Sequence, residues 1–294
     1  MVQRMISAEQ VLALGFPRAV EALREALGGG LDPESEPARS RVALGGGEVL
    51  IMPSGDDRIA GVKLVGIAPG NPARGLPRIH GTYVLFDAPT LAPRAVLDGA
   101  ALTLLRTPAV SALGVDLVAP PGVRKLVVFG TGPQARGHIE ALRAVRPIDS
   151  VRVVGRSHER TTRFAGEIAK AEVADADAVA DADIVACCTT AREPLFDGRR
   201  LKPGAVVVAV GSHEPEAREV DTETVRRCGA LVESRAVAVR EAGDIIQAGL
   251  DETELVTFAD LVRGTIPARP RLIKTVGMGW EDLVIAAAVV EALG

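Results

Sequence analysis

The sequence is poor in aromatic side chains, because Phe, Tyr and Trp together make up 3% of its 294 residues. It also lacks an excess of positive charge, since 34 lysines and arginines stand against 38 acidic residues. Proteins that bind nucleic acids usually carry a basic patch, and single-strand binders also stack bases on aromatic rings. The composition therefore argues against nucleic-acid binding.

Cysteine and histidine are scarce as well, with three and four residues. No CxxC pair or His/Cys cluster has the spacing of zinc ligands, so we expect neither a disulfide framework nor a metal site. No signal-peptide pattern is visible, and no run reaches the roughly 18 apolar residues of a membrane span. We therefore expect a soluble, unsecreted, cytoplasmic protein without membrane contacts.

The first 118 residues change from helical to β-rich patterns and back. The first 30 residues predict two helices, and residues 40–87 hold short β-rich runs separated by Gly, Pro and Asn, which are typical of an antiparallel sheet. Residues 97–118 are rich in Ala and Leu and predict a helix that Pro108 should bend or interrupt. Residues 1–118 are therefore interpreted as an α+β domain.

From residue 119 onward, β-rich runs alternate with helical patterns: "KLVVFG", "SVRVVG", "DADIVACC" and "AVVVAVG". Runs of this kind, rich in Val and Ile, are buried on both faces of a parallel sheet. Residues 119–274 are therefore predicted to form a Rossmann-type, doubly wound α/β domain. The apolar helix pattern within residues 275–294 is expected to complete the first domain.

The loop after the first of these strands reads Gly130-Thr131-Gly132-Pro-Gln134-Ala135. In such a loop the first glycine permits a tight turn, the second lets the backbone approach a pyrophosphate, and the small third residue lets the helix pack on the sheet. A strand precedes the loop, a helix pattern follows it, and a second strand begins at Val151. This order favours dinucleotide binding over a purely structural turn.

The end of the second strand indicates which dinucleotide is bound. NAD-binding domains usually place an acidic residue there for the adenosine ribose, whereas this chain has Arg156 and Ser157. An arginine forms a planar, charge-assisted pair with a 2′-phosphate, and a serine hydroxyl donates to one. NADP is therefore favoured over NAD, the alternative being that Arg156 is an ordinary solvated arginine.

The sequence resembles the ornithine cyclodeaminase/mu-crystallin family over nearly its whole length. The resemblance rests on ordered motifs: "PARSRVAL", "VLIMPSG", "VKLVGIAPGNPARGLP", "VLFDAPTLAP", "LDGAALTLLRTPAVSAL", "VVFGTGPQARGH", "AVGSHEPEAREVD", "REAGDI" and "KTVGMGWEDL". It implies a homodimer whose first domain contributes the dimer sheet and the substrate pocket, beside a Rossmann domain.

The resemblance also implies a substrate site. Arg39, Lys63 and Arg106 fall at positions that surround the substrate carboxylate, where two guanidinium groups and an ammonium can fix it. Lys63 is the candidate proton donor or polarising group, because a lysine held near other cations should have a lowered pKa. Arg41 lies two residues after Arg39 and is the alternative for that position.

Further cofactor contacts carry over from the family. They are assigned to Thr189, Val210, Gly211, Ser212, Lys274 and Thr275, in addition to the glycine loop. His138 is expected to be a packed helix residue, and Cys187 and Cys188 are expected to lie in the core.

The chain departs from the cyclodeaminase pattern at His213, where cyclodeaminases carry an aspartate. We therefore expect an NADP-dependent oxidoreductase that interconverts a 2-imino acid and an amino acid. The alternatives are a cyclodeaminase-like lyase with bound NAD and a non-catalytic NADP-binding protein. The identity of the imino acid and the direction of the reaction in the cell stay open.

Overall fold

The computed structural model describes residues 4–264 and 270–294, which form two units. The first unit contains the described residues 4–26, 35–106 and 277–294, and the second contains 27–34, 107–264 and 270–276. The chain therefore leaves the first unit and returns to it at its C-terminal end. The division falls after Arg106, whereas the expected first domain runs to residue 118.

The first unit is built on a six-stranded sheet in the order β1-β6-β5-β4-β3-β2. Strands β2 to β6 pair antiparallel, as the β-rich runs predict, and β1 pairs parallel with β6. The strands are β1 (Arg4–Ile6), β2 (Ser40–Leu44), β3 (Gly47–Gly55), β4 (Ile59–Ile67), β5 (Ile79–Asp87) and β6 (Pro93–Asp98).

One face of this sheet is covered by the C-terminal helix α10 (Gly279–Ala292), which contacts β3, β4 and β5. Helix α1 (Ala8–Leu12) contacts β6 and α10, and it begins with a capping box of Ser7 and Gln10. Helix α2 (Gly15–Gly28) follows α1. Since successive side chains of a strand point to opposite faces, Leu50, Lys63 and Tyr83 lie on the covered face.

The opposite face of the sheet is apolar, although much of it is accessible to solvent. Met5, Val42, Leu44 and Leu64 are each more than a third exposed. The strand register places the following side chains on this face: Met5, Val42, Leu44, Val49, Ile51, Val62, Leu64, Val84, Phe86 and Val96. These ten residues are called the outer face below.

The second unit is built on an eight-stranded sheet in the order β13-β12-β14-β11-β10-β7-β8-β9, with all neighbours parallel. Its strands are β7 (Lys125–Phe129), β8 (Ser150–Val154), β9 (Ala171–Val173), β10 (Ile184–Cys187), β11 (Val206–Ala209), β12 (Ala230–Val232), β13 (Leu255–Thr257) and β14 (Leu272–Lys274). The chain order reverses between β7 and β10, which is the switch point of a doubly wound fold. The predicted fold class is thereby confirmed.

Helices and short helical turns connect these parallel strands, as the βαβ pattern predicts. The α-helices of this part are α4 (Pro133–Val145), α5 (His158–Gly166), α6 (Thr222–Cys228), α7 (Arg235–Glu241), α8 (Gly243–Ala248) and α9 (Phe258–Val262). Both faces of the sheet are covered, since β10 and β11 are buried at every residue.

Pro108 was expected to bend or interrupt helix α3 (Gly99–Val118), and the interruption is wrong because the helix continues through Pro108. Proline removes one hydrogen bond and costs about 3 kcal/mol in a helix interior, but α3 is largely buried and its packing outweighs this cost. Among the described residues, α3 alone is long and apolar enough to cross a membrane, which corrects the expectation that no segment reaches that length. Since 72% of this stretch is buried inside the protein, it matches a core helix.

Candidate active site

The first unit buries two cations against two carboxylates. Lys63, on β4, and Arg106, on α3, meet Glu281 and Asp282, which lie in the first turn of α10. The Lys63 Nζ lies 2.7 Å from Asp282 Oδ2, and Arg106 places NH1 2.5 Å from Glu281 Oε2 and Nε 3.3 Å from Asp282 Oδ1. These four residues are called the ion cluster below, and none is more than 7% exposed.

The local structure explains why these residues meet. Lys63 occupies a position of β4 that faces α10, between the buried residues Gly61 and Val65. Glu281 and Asp282 lie at the N-terminal end of α10, where the unpaired backbone N–H groups and the helix dipole favour negative charge. The cations of the sheet and α3 thus meet carboxylates that the helix terminus also stabilises.

The pKa of Lys63 is lowered from 10.5 to about 8. Burial is the main cause and the neighbouring Arg106 adds to it, whereas the nearby carboxylates, Asp282 foremost, raise the pKa of Lys63. A lowered pKa is the direction expected for a lysine held near another cation. An ammonium with a pKa near neutrality can give up its proton and regain it under physiological conditions.

Arg39 and Arg106 both lie next to Gly277. The NH1 group of Arg39 donates to the carbonyl oxygen of Gly277 over 3.5 Å, and a Cβ at Gly277 would lie 2.6 Å from Arg106 NH1. The alternative, Arg41, is exposed and pairs with Glu48 on β3 at 3.2 Å. The geometry favours Arg39 over Arg41 as the residue that shares a site with Lys63 and Arg106.

Glu36 links the segment that carries Arg39 to the beginning of α10. Its carboxylate accepts hydrogen bonds from the Ser54 hydroxyl at 2.5 Å and from the backbone N–H of Trp280 at 2.9 Å. Burial raises the pKa of Glu36 to about 7, against the lowering effect of these two hydrogen bonds. Glu36 therefore holds the Arg39 segment beside the ion cluster.

In the second unit, the glycine loop has the geometry of a phosphate-binding turn. Gly130 has a φ of 117°, and a Cβ there would lie 2.5 Å from the carbonyl oxygen of Cys188. Gly132 caps the N-terminus of α4, and a Cβ built on it has no heavy atom within 4 Å. Ala135 is fully buried where α4 packs on the sheet. The open space at the N-terminus of a 13-residue helix fits a dinucleotide pyrophosphate.

Four further cofactor candidates lie within this loop or next to it in the sheet. Thr131 and Gln134 are partly exposed within the loop and the first turn of α4. Arg156 is exposed just after β8, and Ser157 caps α5, its side chain accepting from the backbone N–H of Arg160. A hydroxyl that accepts in this way can still donate its own proton.

The remaining cofactor candidates lie at the carboxyl ends of β10, β11 and β14 or just after them. Thr189 and Gly211 both donate to the buried carboxylate of Glu219. Lys274 points inward instead, because its Nζ lies 3.0 Å from Asp244 Oδ2 and donates to the carbonyl of Ser212 at 2.6 Å. The backbone N–H groups of Val210 and Thr275 pair with the sheet.

His138 and Cys187 are buried, in line with their expected role, whereas Cys188 follows β10 and is only partly buried. The His138 Nδ1 lies 2.7 Å from the carbonyl of Gln134, so Nδ1 donates and Nε2 accepts from Ser111 at 2.9 Å. Burial lowers the pKa of His138 to about 4, so the ring stays neutral. Burial also raises the pKa values of Cys187 and Cys188, which keeps both as thiols.

Residues 2–294 match the profile of the ornithine cyclodeaminase/mu-crystallin family. The chain belongs to this family. It is 36% identical to the Δ1-pyrroline-2-carboxylate/Δ1-piperideine-2-carboxylate reductase of Azospirillum brasilense over 98% of this chain and 94% of that protein. It is 30% identical to the ketimine reductase mu-crystallin of Macropus fuliginosus over 99% of this chain and 95% of that protein.

The fold is similar to that of a solved reductase. The structure of Thermococcus litoralis Δ1-pyrroline-2-carboxylate reductase in complex with NADH and L-proline gives a TM-score of 0.90 at 28% identity. The similarity covers 98% of this chain and 97% of that chain. Both the family and its fold were expected from the sequence motifs.

The acidic residues that pair with the buried cations of both units were not predicted from the sequence. Glu281 and Asp282 stand at the beginning of a helix that is otherwise almost entirely apolar, and charged residues in an apolar helix signal that they are paired inside the protein. Glu219 and Asp244 lie within two of the family motifs, yet no local pattern marks either of them as buried.

We predict that Asp282→Asn destabilises the protein by about 3–5 kcal/mol, because it leaves Lys63 and Arg106 buried together with one carboxylate fewer. Glu25→Gln is the matched control, since Glu25 pairs with Arg18 on the surface of the same unit at 2.9 Å. The control should change stability by less than about 1 kcal/mol. Urea unfolding followed by circular dichroism measures both, and equal stabilities of the two variants would contradict the role of the ion cluster.

Proposed function

We propose that the protein reduces a cyclic 2-imino acid to the corresponding amino acid with NADPH. The observation that carries the proposal is Lys63, a buried ammonium whose pKa is lowered to about 8 and which pairs with Asp282, the carboxylate that Arg106 also contacts. The named relatives, which are reductases of Δ1-pyrroline-2-carboxylate and a ketimine reductase, support the reaction type.

The residues of the first unit would bind and protonate the substrate. Arg39 and Arg106 would hold the carboxylate, which fixes the orientation of the neighbouring C=N bond. Lys63 would donate a proton to the imine nitrogen while a hydride adds to carbon 2. The C=N bond becomes a single bond, and the neutral lysine regains its proton from solvent.

The second unit would hold NADPH, which supplies the hydride when it is bound. The amides of the glycine loop and the N-terminus of α4 would contact the pyrophosphate, and Arg156 with Ser157 would contact the 2′-phosphate. By this proposal the substrate domain comprises residues 1–118 and 275–294, and the cofactor domain comprises 119–274. The three cysteines are free, which fits a cytoplasmic protein.

We also propose that the outer face is the interface of a homodimer. Contiguous exposed apolar patches on this scale usually mark a protein interface. A second copy of the chain presents the same apolar face, so two outer faces can pack against each other around a two-fold axis, as in an isologous dimer.

The rate of the reaction should depend on Lys63 and on its protonation state. We predict that kcat/KM for reducing Δ1-pyrroline-2-carboxylate falls as the pH rises through about 8, because the ammonium loses the proton that the reaction needs. Oxidation of proline should show the opposite slope, since it needs the neutral amine. Lys63→Met should lower kcat roughly 10²–10⁴-fold and abolish the transition near pH 8.

Lys125→Met is the control for this experiment, because Lys125 is an exposed lysine that pairs with Asp181. Its steady-state kinetics should match those of the wild type at every pH. If the transition near pH 8 persisted in Lys63→Met, another group would be the proton donor.

The cofactor preference should depend on Arg156. We predict that NADPH binds more tightly than NADH and that Arg156→Ala reduces the ratio of the two affinities. A charge-assisted hydrogen bond contributes about 1.5–3 kcal/mol, which corresponds to roughly tenfold to a hundredfold. Titration of nicotinamide fluorescence measures the ratio, with Arg163→Ala on the following helix α5 as control. An unchanged ratio in Arg156→Ala would refute this assignment.

The proposed dimer should separate when charge is placed on the outer face. We predict that Leu64→Glu converts the dimer to a monomer, because two outer faces would then bury unpaired carboxylates. Leu12→Glu is the control, since Leu12 is 45% exposed but lies on α1, which contacts α10 on the covered side of the sheet. Sedimentation equilibrium distinguishes the species, and a monomeric wild type would refute the dimer.

A further inference from the structure

Glu219 lies in the segment that follows β11 and is fully buried. Its carboxylate accepts three hydrogen bonds, two from Thr189 after β10 and one from Gly211 at the beginning of its own segment. Oε1 accepts from the backbone N–H and the hydroxyl of Thr189, at 2.8 and 2.7 Å, and Oε2 accepts from the backbone N–H of Gly211 at 2.6 Å. One side chain thus joins the segments that carry Thr189 and Gly211.

These two segments are the continuations of adjacent strands. Thr189 follows β10 and Gly211 follows β11, and the two strands pair in register with Cys187 opposite Ala209. Both segments therefore leave the sheet at its carboxyl edge, next to the switch point where doubly wound folds bind their ligands. The position of Glu219 fixes the separation of two loops at that edge.

The loops that carry Thr189 and Gly211 are too close together to hold a side chain at position 211. A Cβ at Gly211 would lie 2.0 Å from the carbonyl oxygen of Thr189 and 2.6 Å from Glu219 Oε1. Any other residue at position 211 would push the loops apart. The close approach and the three hydrogen bonds define a single spacing between the loops.

A second layer of contacts holds Glu219 itself. The Oδ1 atom of Asp244 accepts from the backbone N–H groups of Glu219 and Val220, at 2.8 and 2.9 Å. Lys274, at the end of β14, lies 3.0 Å from Asp244 Oδ2 and donates to the carbonyl of Ser212. The ends of β10, β11 and β14 are therefore connected through buried charged groups.

We propose that Glu219 is a positioning residue for the nicotinamide half of the cofactor. The proposal rests on the proposed NADPH site, in which the glycine loop after β7 and Arg156 after β8 take the pyrophosphate and the adenosine half. A dinucleotide extends across the switch point, so the loops after β10 and β11 meet its other half. Glu219 sets the spacing of those loops without touching the ligand.

The test compares binding of whole NADPH with binding of adenosine 2′,5′-bisphosphate, which probes the adenosine half alone. Glu219→Gln keeps the size of the side chain but replaces one of its two acceptor oxygens with an N–H₂ group. This group would face a hydrogen-bond donor of one of the loops. NADPH affinity, measured by calorimetry, should fall at least roughly tenfold, since a buried hydrogen-bond donor loses its acceptor. The affinity for adenosine 2′,5′-bisphosphate should stay within about twofold of the wild type.

Asp221→Asn is the matched control, because Asp221 is a nearby carboxylate that caps α6 and contacts neither Thr189 nor Gly211. Both of its affinities should equal those of the wild type. A parallel loss of both affinities in Glu219→Gln would mean a general structural role and overturn the proposal, as would no loss at all. If wild-type protein bound neither NADPH nor NADH, the proposed cofactor would fail instead.

Amide hydrogen exchange gives a second measurement that does not need the ligand. In Glu219→Asp the shorter side chain cannot span both loops, so the amides of Thr189 and Gly211 should exchange faster while those of β10 and β11 keep their protection. This variant also serves if Glu219→Gln does not fold. Unchanged exchange at Thr189 and Gly211 would overturn the proposal.

Discussion

The ion cluster of Lys63, Arg106, Glu281 and Asp282 is the constraint on which the first unit depends. Burying a single charge costs several kcal/mol unless a partner of opposite charge is close and well oriented. The four groups come from β4, α3 and α10, so the cost is offset only when all three elements are in place. The C-terminal helix is therefore part of the first unit's core, although almost the whole chain separates it from β1.

The second unit also offsets the cost of burying charged groups by pairing them. Lys274, Asp244 and Glu219 connect the ends of parallel strands, and each of these charged groups is buried. In both units the buried lysine pairs with a carboxylate from another element of the fold: Lys63 with Asp282 and Lys274 with Asp244. The difference is in the setting: Lys63 lies next to a second cation, Arg106, whereas Lys274 lies among carbonyl oxygens and carboxylates.

The sequence predicted those features that depend on local patterns. Gly130, Gly132 and Ala135 could be assigned to a turn between a strand and a helix because the patterns of β7 and α4 are regular. Strands of three residues, such as β1, β9, β12, β13 and β14, are too short to show a period, and they form because neighbouring strands supply the hydrogen bonds. The partners of Lys63 could not be predicted either, since Asp282 lies more than 200 residues away and only the fold brings the two together.

The charge states of Lys63 in the ion cluster and of Glu36 beside it are least favourable in the pH range where the proposed reaction would run. The folded-state pKa of Lys63 is about 8 against an ordinary value of 10.5, so below about 8 the fold holds an ammonium that its interior disfavours. Stability from this group rises between about 8 and 10.5, where the unfolded chain binds more protons. The pKa of Glu36 is raised from 4.5 to about 7, so its contribution falls as the pH rises through that window. Between about 7 and 8 both groups are ionised against the preference of the interior. A site arranged only for stability would hold apolar side chains here, so a buried Lys63 with a pKa of about 8 fits a group that exchanges a proton.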